Sequence, residues 1–193
     1  MASGLVHDIH GLIVFGFPYG HVNRKKDAPA RRAPGLRHRR FRHNYYCAFG
    51  KTWSFEDPFP DVVKQRIETV DRRAGCNQAE AYMVSISHDY LDKVWDFDGL
   101  SREDRVSTRK YWEGFYVWLL LNPQLLKDWA GVDVVAGRIH RLINGNDVWE
   151  EEPELRAEYK RLYNRARFLL RCDKQLRRVI EENGGLYVNA DAV

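Results

Sequence analysis

Two residues four apart, His88 and Asp92, carry the sharpest chemical signal in the chain. On a helix their side chains leave the same face and can grip one cation. Val84, Leu91 and Trp95 recur at helical spacing around His88, which places the pair at the edge of a buried stripe, where an unpaired charge is costly. Taken alone, such an HxxxD spacing is more often structural, with Asp92 accepting a hydrogen bond from His88 or facing water with Asp89 and Asp96. A second group adds weight: His38 and His43 stand five apart among Arg37, Arg39, Arg40 and Arg42. Neutral imidazole is the commonest metal donor near pH 7. His38 at a helix entry and His43 on its first turns would converge on the His88/Asp92 face. Read without a metal, the same segment is a basic patch in which the histidines are incidental.

These residues also carry a family resemblance. His38-Arg39-Arg40-Phe41-Arg42-His43 resembles the HRGFTHS element, and Ser87-His88-Asp89-Tyr90-Leu91-Asp92 the later sH-x-x-LD element, of the YdjM-type inner-membrane metal-dependent hydrolases, in the same order. The opening Ser3-Gly4-Leu5-Val6-His7-Asp8 is similar to the start of related metal-binding proteins. The similarity covers mainly the first half, up to Asp98, and the family's apolar membrane helices are missing. It implies a soluble, divergent relative: a helical bundle holding a divalent ion, with His38, His43, His88 and Asp92 as ligands and His7 as a further one.

Three imidazoles with one or two carboxylates suit zinc first, and manganese or iron as borderline alternatives. Such an ion brings the pKa of a bound water toward about 7, and hydrolysis follows. Arg37, Arg39 and Arg40 beside the site would bind an anionic oxygen, since guanidinium matches phosphate geometry, so a phosphoester is the expected substrate class. Asp8 and Asp89 are candidates for a catalytic base or for orienting a ligand, and the competing expectation for each is a surface acid.

Two other functions remain open on the sequence. His88-Asp89 is an HD dipeptide, as in HD-type phosphohydrolases, although neighbours on a regular helix point about 100 degrees apart. Nucleic-acid binding without catalysis would use the segment Arg24–Arg42, which holds nine Lys or Arg and one acid, Asp27, with Phe41, Tyr45 and Tyr46 for stacking. The acidic run Glu150-Glu151-Glu152 weakens any global preference for polyanions. Trp95, Tyr111, Trp112, Phe115, Tyr116 and Trp118 recur at helical spacing and read as core. His10, His21 and His140 read as lone structural histidines.

The elements that must position these groups are helices. At 193 residues, 44% hydrophobic and 30% charged, the chain suits one globular domain, 1–193, of all-α class. Three cysteines at wide spacing argue for reduced thiols and a cytoplasmic setting. The start of the chain, broken by His7, Asp8 and His10, does not read as a signal peptide. No apolar run approaches the roughly 20 residues of a membrane span.

Leu5, Ile9, Leu12 and Ile13 mark a buried N-terminal helix over about 5–15. Pro18, Gly20, Pro29, Pro34 and Gly35 mark a basic loop over about 17–35. Helices are expected over about 39–49 and 61–73, then from Asn77 to Trp95, from Ser101 to Leu121 and from Pro123 to Trp129. Residues 131–149 read as helix, with a hairpin at Asn144-Gly145 as the alternative. A helical region over about 151–183 buries Leu155, Tyr159, Leu162, Ala166, Leu169 and Leu176 and breaks near Cys172.

Overall fold

The structure, a computed structural model, describes residues 2–28, 78–130, 135–137, 139–140 and 153–182. Of these, 84% are helical and none lies in a strand, so the fold is all-α. The helices expected over 39–49 and 61–73, and most of 131–149, lie outside the described residues. The chain divides into two compact units, Met1–Gly4 with Tyr19–Asp98 and Leu5–Pro18 with Gly99–Val193. No helix among the described residues is long and apolar enough to cross a membrane.

In the second unit, α1 (Gly4–Phe15, its first residue excepted) buries Leu5, Ile9, Leu12 and Ile13, the stripe that its spacing marks. It ends at Gly16, whose positive φ of 71° closes the last turn through a 2.9 Å bond from its N–H to the Leu12 carbonyl. The returning chain passes over Gly11 so closely that a Cβ there would stand 2.7 Å from the Pro18 carbonyl oxygen. Two polar ties hold α1 in this unit: Arg161 donates to Asp8 at 2.8 Å, and His10 Nδ1 lies 3.2 Å from the Tyr116 hydroxyl.

The next helix of this unit, α4 (Arg102–Leu121), begins where Ser101 accepts the Asp104 N–H at 3.1 Å and donates to its carboxylate. Asn122-Pro123 then opens α5 (Pro123–Asp128), with the Asn122 amide donating back to the Trp118 carbonyl at 2.7 Å. The C-terminal region breaks between α6 (Pro153–Cys172) and α7 (Lys174–Glu182), as the sequence indicates. Asp173 makes the break. One carboxylate oxygen accepts the N–H groups of Gln175 and Leu176, and the other accepts from Lys110 at 2.7 Å, which holds the acid below the usual carboxylate range.

Helices α4, α6 and α7 pack on one another. Val117, Leu120, Leu155, Leu162, Ala166 and Leu176 are at most 2% exposed, whereas Leu169 is only half-buried. The aromatic run of α4 departs from its expected core role. Tyr111 and Trp112 are 42% and 39% exposed, because Val117, Leu120 and Leu121 occupy the buried face. The rings pack on each other instead: Trp112 meets Phe115 edge-on at 5.6 Å between centroids, and Trp129 meets Phe115 at 5.2 Å.

The first unit sets α2 (Gly20–Asp27) against α3 (Gln78–Val94). Helix α2 corrects the loop expected over 17–35. Composition alone marks Gly20–Asp27 as solvated chain, but Val22, Asn23 and Lys26 share one face, and each is only 2% exposed. Packing supplies the stability that an isolated eight-residue helix lacks. Tyr19, at φ 50° and 2% exposed, sets the entry to α2 in a conformation costly for a side chain with a Cβ.

Two outcomes follow. Gly114 lets α4 approach α7 so closely that a Cβ would stand 2.6 Å from Val179 Cγ1. Gly114→Ala should therefore destabilise the fold by about 1–3 kcal/mol in urea unfolding, and Val179→Ala added to it should recover part of the loss. Burial, helped by the neighbouring His7, lowers the His10 pKa to about 4. The unfolded chain then takes up a proton near pH 6.5 that the folded chain refuses, so stability falls as pH drops from about 6.5 to about 4. Between about pH 7 and pH 5 the loss should be about 2 kcal/mol, and His10→Gln should remove that part of the slope.

Candidate functional site

Helix α3 presents a polar stripe of Ser85, His88, Asp89 and Asp92, the i, i+3, i+4, i+7 set of one helical face. All four are at most 2% exposed. Apolar Val84, Leu91 and Trp95 flank the stripe and are buried with it, so the helix turns both chemistries inward. Facing it, α2 offers Asn23, Lys26 and Asp27 at i, i+3 and i+4.

Burying this much charge requires pairing. Lys26 Nζ donates to Asp89 Oδ2 and to the Ser85 carbonyl, each at 2.6 Å. With Lys26 at 2% and Asp89 at 1% exposure, neither charge could stay in the interior alone. One turn along, His88 Nδ1 lies 3.1 Å from Asn23 Oδ1, while Nε2 faces Asp27 Oδ1 at 3.4 Å and Asp92 Oδ2 at 3.9 Å. The other Asp92 oxygen accepts the Ala2 N–H at 2.9 Å. Asp27 is the solvent-facing member, 36% exposed at its side chain, against 0% for His88.

An amide oxygen only accepts, so Nδ1 is the nitrogen that donates to Asn23, and Nε2 is the one that faces the two carboxylates. Positive charge at Nε2, as a proton or as a metal cation, would suit that arrangement. A histidine that ligates through one nitrogen while the other is held by an oxygen acceptor is the usual disposition of a metal ligand. One imidazole nitrogen with nearby carboxylate oxygens is a donor set that suits zinc, manganese or iron.

Of the residues singled out in the sequence, the structure brings together His88, Asp89 and Asp92. His7 is buried on α1, 3% exposed. Asp8 and Asp89 correct the surface-acid expectation, at 3% and 1% exposure: each is neutralised by a cation, Arg161 for Asp8 and Lys26 for Asp89. His38, His43, Arg37, Arg39 and Arg40 lie outside the described residues, as does most of the basic segment Arg24–Arg42. Lys26, counted in that segment as a solvated cation, is instead an interior ion-pair partner. His140 is exposed.

Sequence reasoning missed Asn23, Lys26 and Asp27 as parts of the site. The signal was their i, i+3, i+4 spacing, masked by the glycines, prolines and cations around them. Comparison of the chain with known protein families, with curated proteins and with solved structures gives no match.

Breaking the interior pair from one side should be costly. Lys26→Met should lower stability by about 3–5 kcal/mol in chemical unfolding, since it strands the Asp89 carboxylate. The double change Lys26→Met with Asp89→Leu should recover most of it. An additive double variant would refute the pairing.

Proposed function

We propose that this protein is a metal-dependent hydrolase acting on a phosphoester. A divalent ion, zinc first and manganese or iron as alternatives, would be held by His88 and Asp92. His7 is the further imidazole of the proposed set, on the strength of the resemblance of the chain's opening to related metal-binding proteins. His38 and His43 remain ligands on the strength of the sequence resemblance to the YdjM-type hydrolases, and Arg37, Arg39 and Arg40 remain phosphate contacts because guanidinium matches phosphate geometry. When bound, such an ion would supply an activated water for attack on phosphorus.

The observation that carries this reading is the His88 ring, pinned at Nδ1 by Asn23 and aimed at two carboxylates through Nε2. In it, Asn23 orients the ring and Asp92 supplies charge from the dry side. Asp27 stands at the solvent-facing edge, where an incoming anion would meet it. Asp89 and Asp8 are engaged with Lys26 and Arg161, and we assign them to holding the helices rather than to the reaction. An HD-type arrangement would require Asp89 to leave Lys26, which ranks it second.

Protein purified without an affinity tag should carry close to one equivalent of zinc, manganese or iron by elemental analysis. His88→Ala, Asp92→Ala and His7→Ala should lose it, and Asn23→Ala should weaken binding by about 10–100-fold. Metal-dependent cleavage of a chromogenic phosphodiester should disappear with the ion. Metal content unchanged in His88→Ala, or metal-free protein that takes up none of these ions, would sink the reading.

A further inference from the structure

Positive charge is concentrated on the two C-terminal helices to an extent that the net charge conceals. Together α6 and α7 carry nine Lys or Arg residues, of which Arg161 and Arg178 pair with Glu158 and Glu182, and from Tyr159 to Ile180 eight cations stand against a single acid, in a chain whose net charge is only +4. That acid, Asp173, is already taken by Lys110 and by the first turn of α7. Between Tyr159 and Cys172 no acid occurs at all.

The helical register gathers this charge into a row. Arg156, Lys160, Asn164, Arg167 and Arg171 follow one another at intervals of four, four, three and four residues and therefore share one face of α6. The row is about 22 Å long. Lys160, Asn164 and Arg171 are exposed, and no ion pair engages Lys160, Arg165 or Arg171 among the described residues. Beside the row stands Phe168, 62% exposed, the most exposed of the phenylalanines and tryptophans among the described residues. Like charges four residues apart oppose the helix that carries them. A row of them bordered by a bare aromatic ring is the footprint of a polyanion with stackable groups.

We propose that this face of α6 binds a single-stranded nucleic acid, with Lys160, Arg167 and Arg171 on successive phosphates and Phe168 stacked on a base. Arginine dominates the cations, and its planar fork matches phosphate. An exposed ring favours unpaired bases, which a duplex would keep stacked on each other. A bilayer fits less well, because Leu155, Leu162 and Ala166 are at most 1% exposed and Phe168 is the only large apolar side chain of α6 that is exposed, too little for a helix to insert. The surface is independent of the metal reading and uses none of the residues between Arg24 and Arg42.

The test is fluorescence anisotropy of a labelled oligothymidylate of about 15 nucleotides with the full chain in EDTA, so that the fate of the metal reading does not affect it. Neutralisation of about three phosphates predicts affinity falling about 20-fold between 50 and 200 mM salt. Lys160→Gln should flatten the logarithmic salt slope by about 0.7. The exposed double variant Lys160→Glu with Arg171→Glu should bind more than tenfold more weakly while its thermal unfolding midpoint stays near that of the parent. Phe168→Ala should weaken binding at least about fivefold with the salt slope unchanged. Undiminished binding by the folded double variant overturns the proposal. So does equal or tighter binding, under the same conditions, to phosphatidylserine vesicles or to polyglutamate.

Discussion

An ammonium group at 2% exposure can be tolerated only where something neutralises it, and for Lys26 that partner is Asp89. The pair contributes little net stability, because desolvation offsets most of the attraction. Its consequence is positional. Any slide or rotation of α2 along α3 would leave one of two interior charges alone, so the pair selects a single register for the two helices. In that register Asn23 and Asp27, three residues before and one residue after Lys26, come to the two nitrogens of His88. The site is thus a by-product of how one lysine is neutralised.

The two units solve the same problem with different means. In the first, polar groups occupy the face between α2 and α3: Lys26 with Asp89 and Asn23 with His88. In the second, apolar side chains form the interface of α4, α6 and α7, and polar ties work at its margins: Arg161 on Asp8, Tyr116 on His10 and Lys110 on Asp173. Asp173 shows how far one carboxylate can be used. It stops α6, caps α7 and anchors α4.

Much of the secondary structure was legible in the residues. The stripe Leu5, Ile9, Leu12 and Ile13, the cap at Ser101, the Asn122-Pro123 opening and the break after Cys172 all act within a few residues of chain, and local physics governs them. His88 and Asp92 were legible for the same reason: a spacing of four is a statement about one helix. The burial of Asp8 and Asp89 was not, since an aspartate enters an interior only when a distant cation comes to meet it.

By itself, then, the sequence determined the helical class, most of the described helix ends and the shared face of His88 and Asp92, because these depend on periodicity and on bonds between near neighbours. Only the tertiary structure decided that Gly20–Asp27 is a helix at all, that Lys26 is an interior charge and that Asn23 meets Nδ1 of His88. Each of these rests on a contact between residues about sixty positions apart, such as Lys26 with Asp89 at a separation of 63 and Asn23 with His88 at 65. No local pattern encodes such a contact; it exists only once burial makes an unpaired polar group too costly to leave alone.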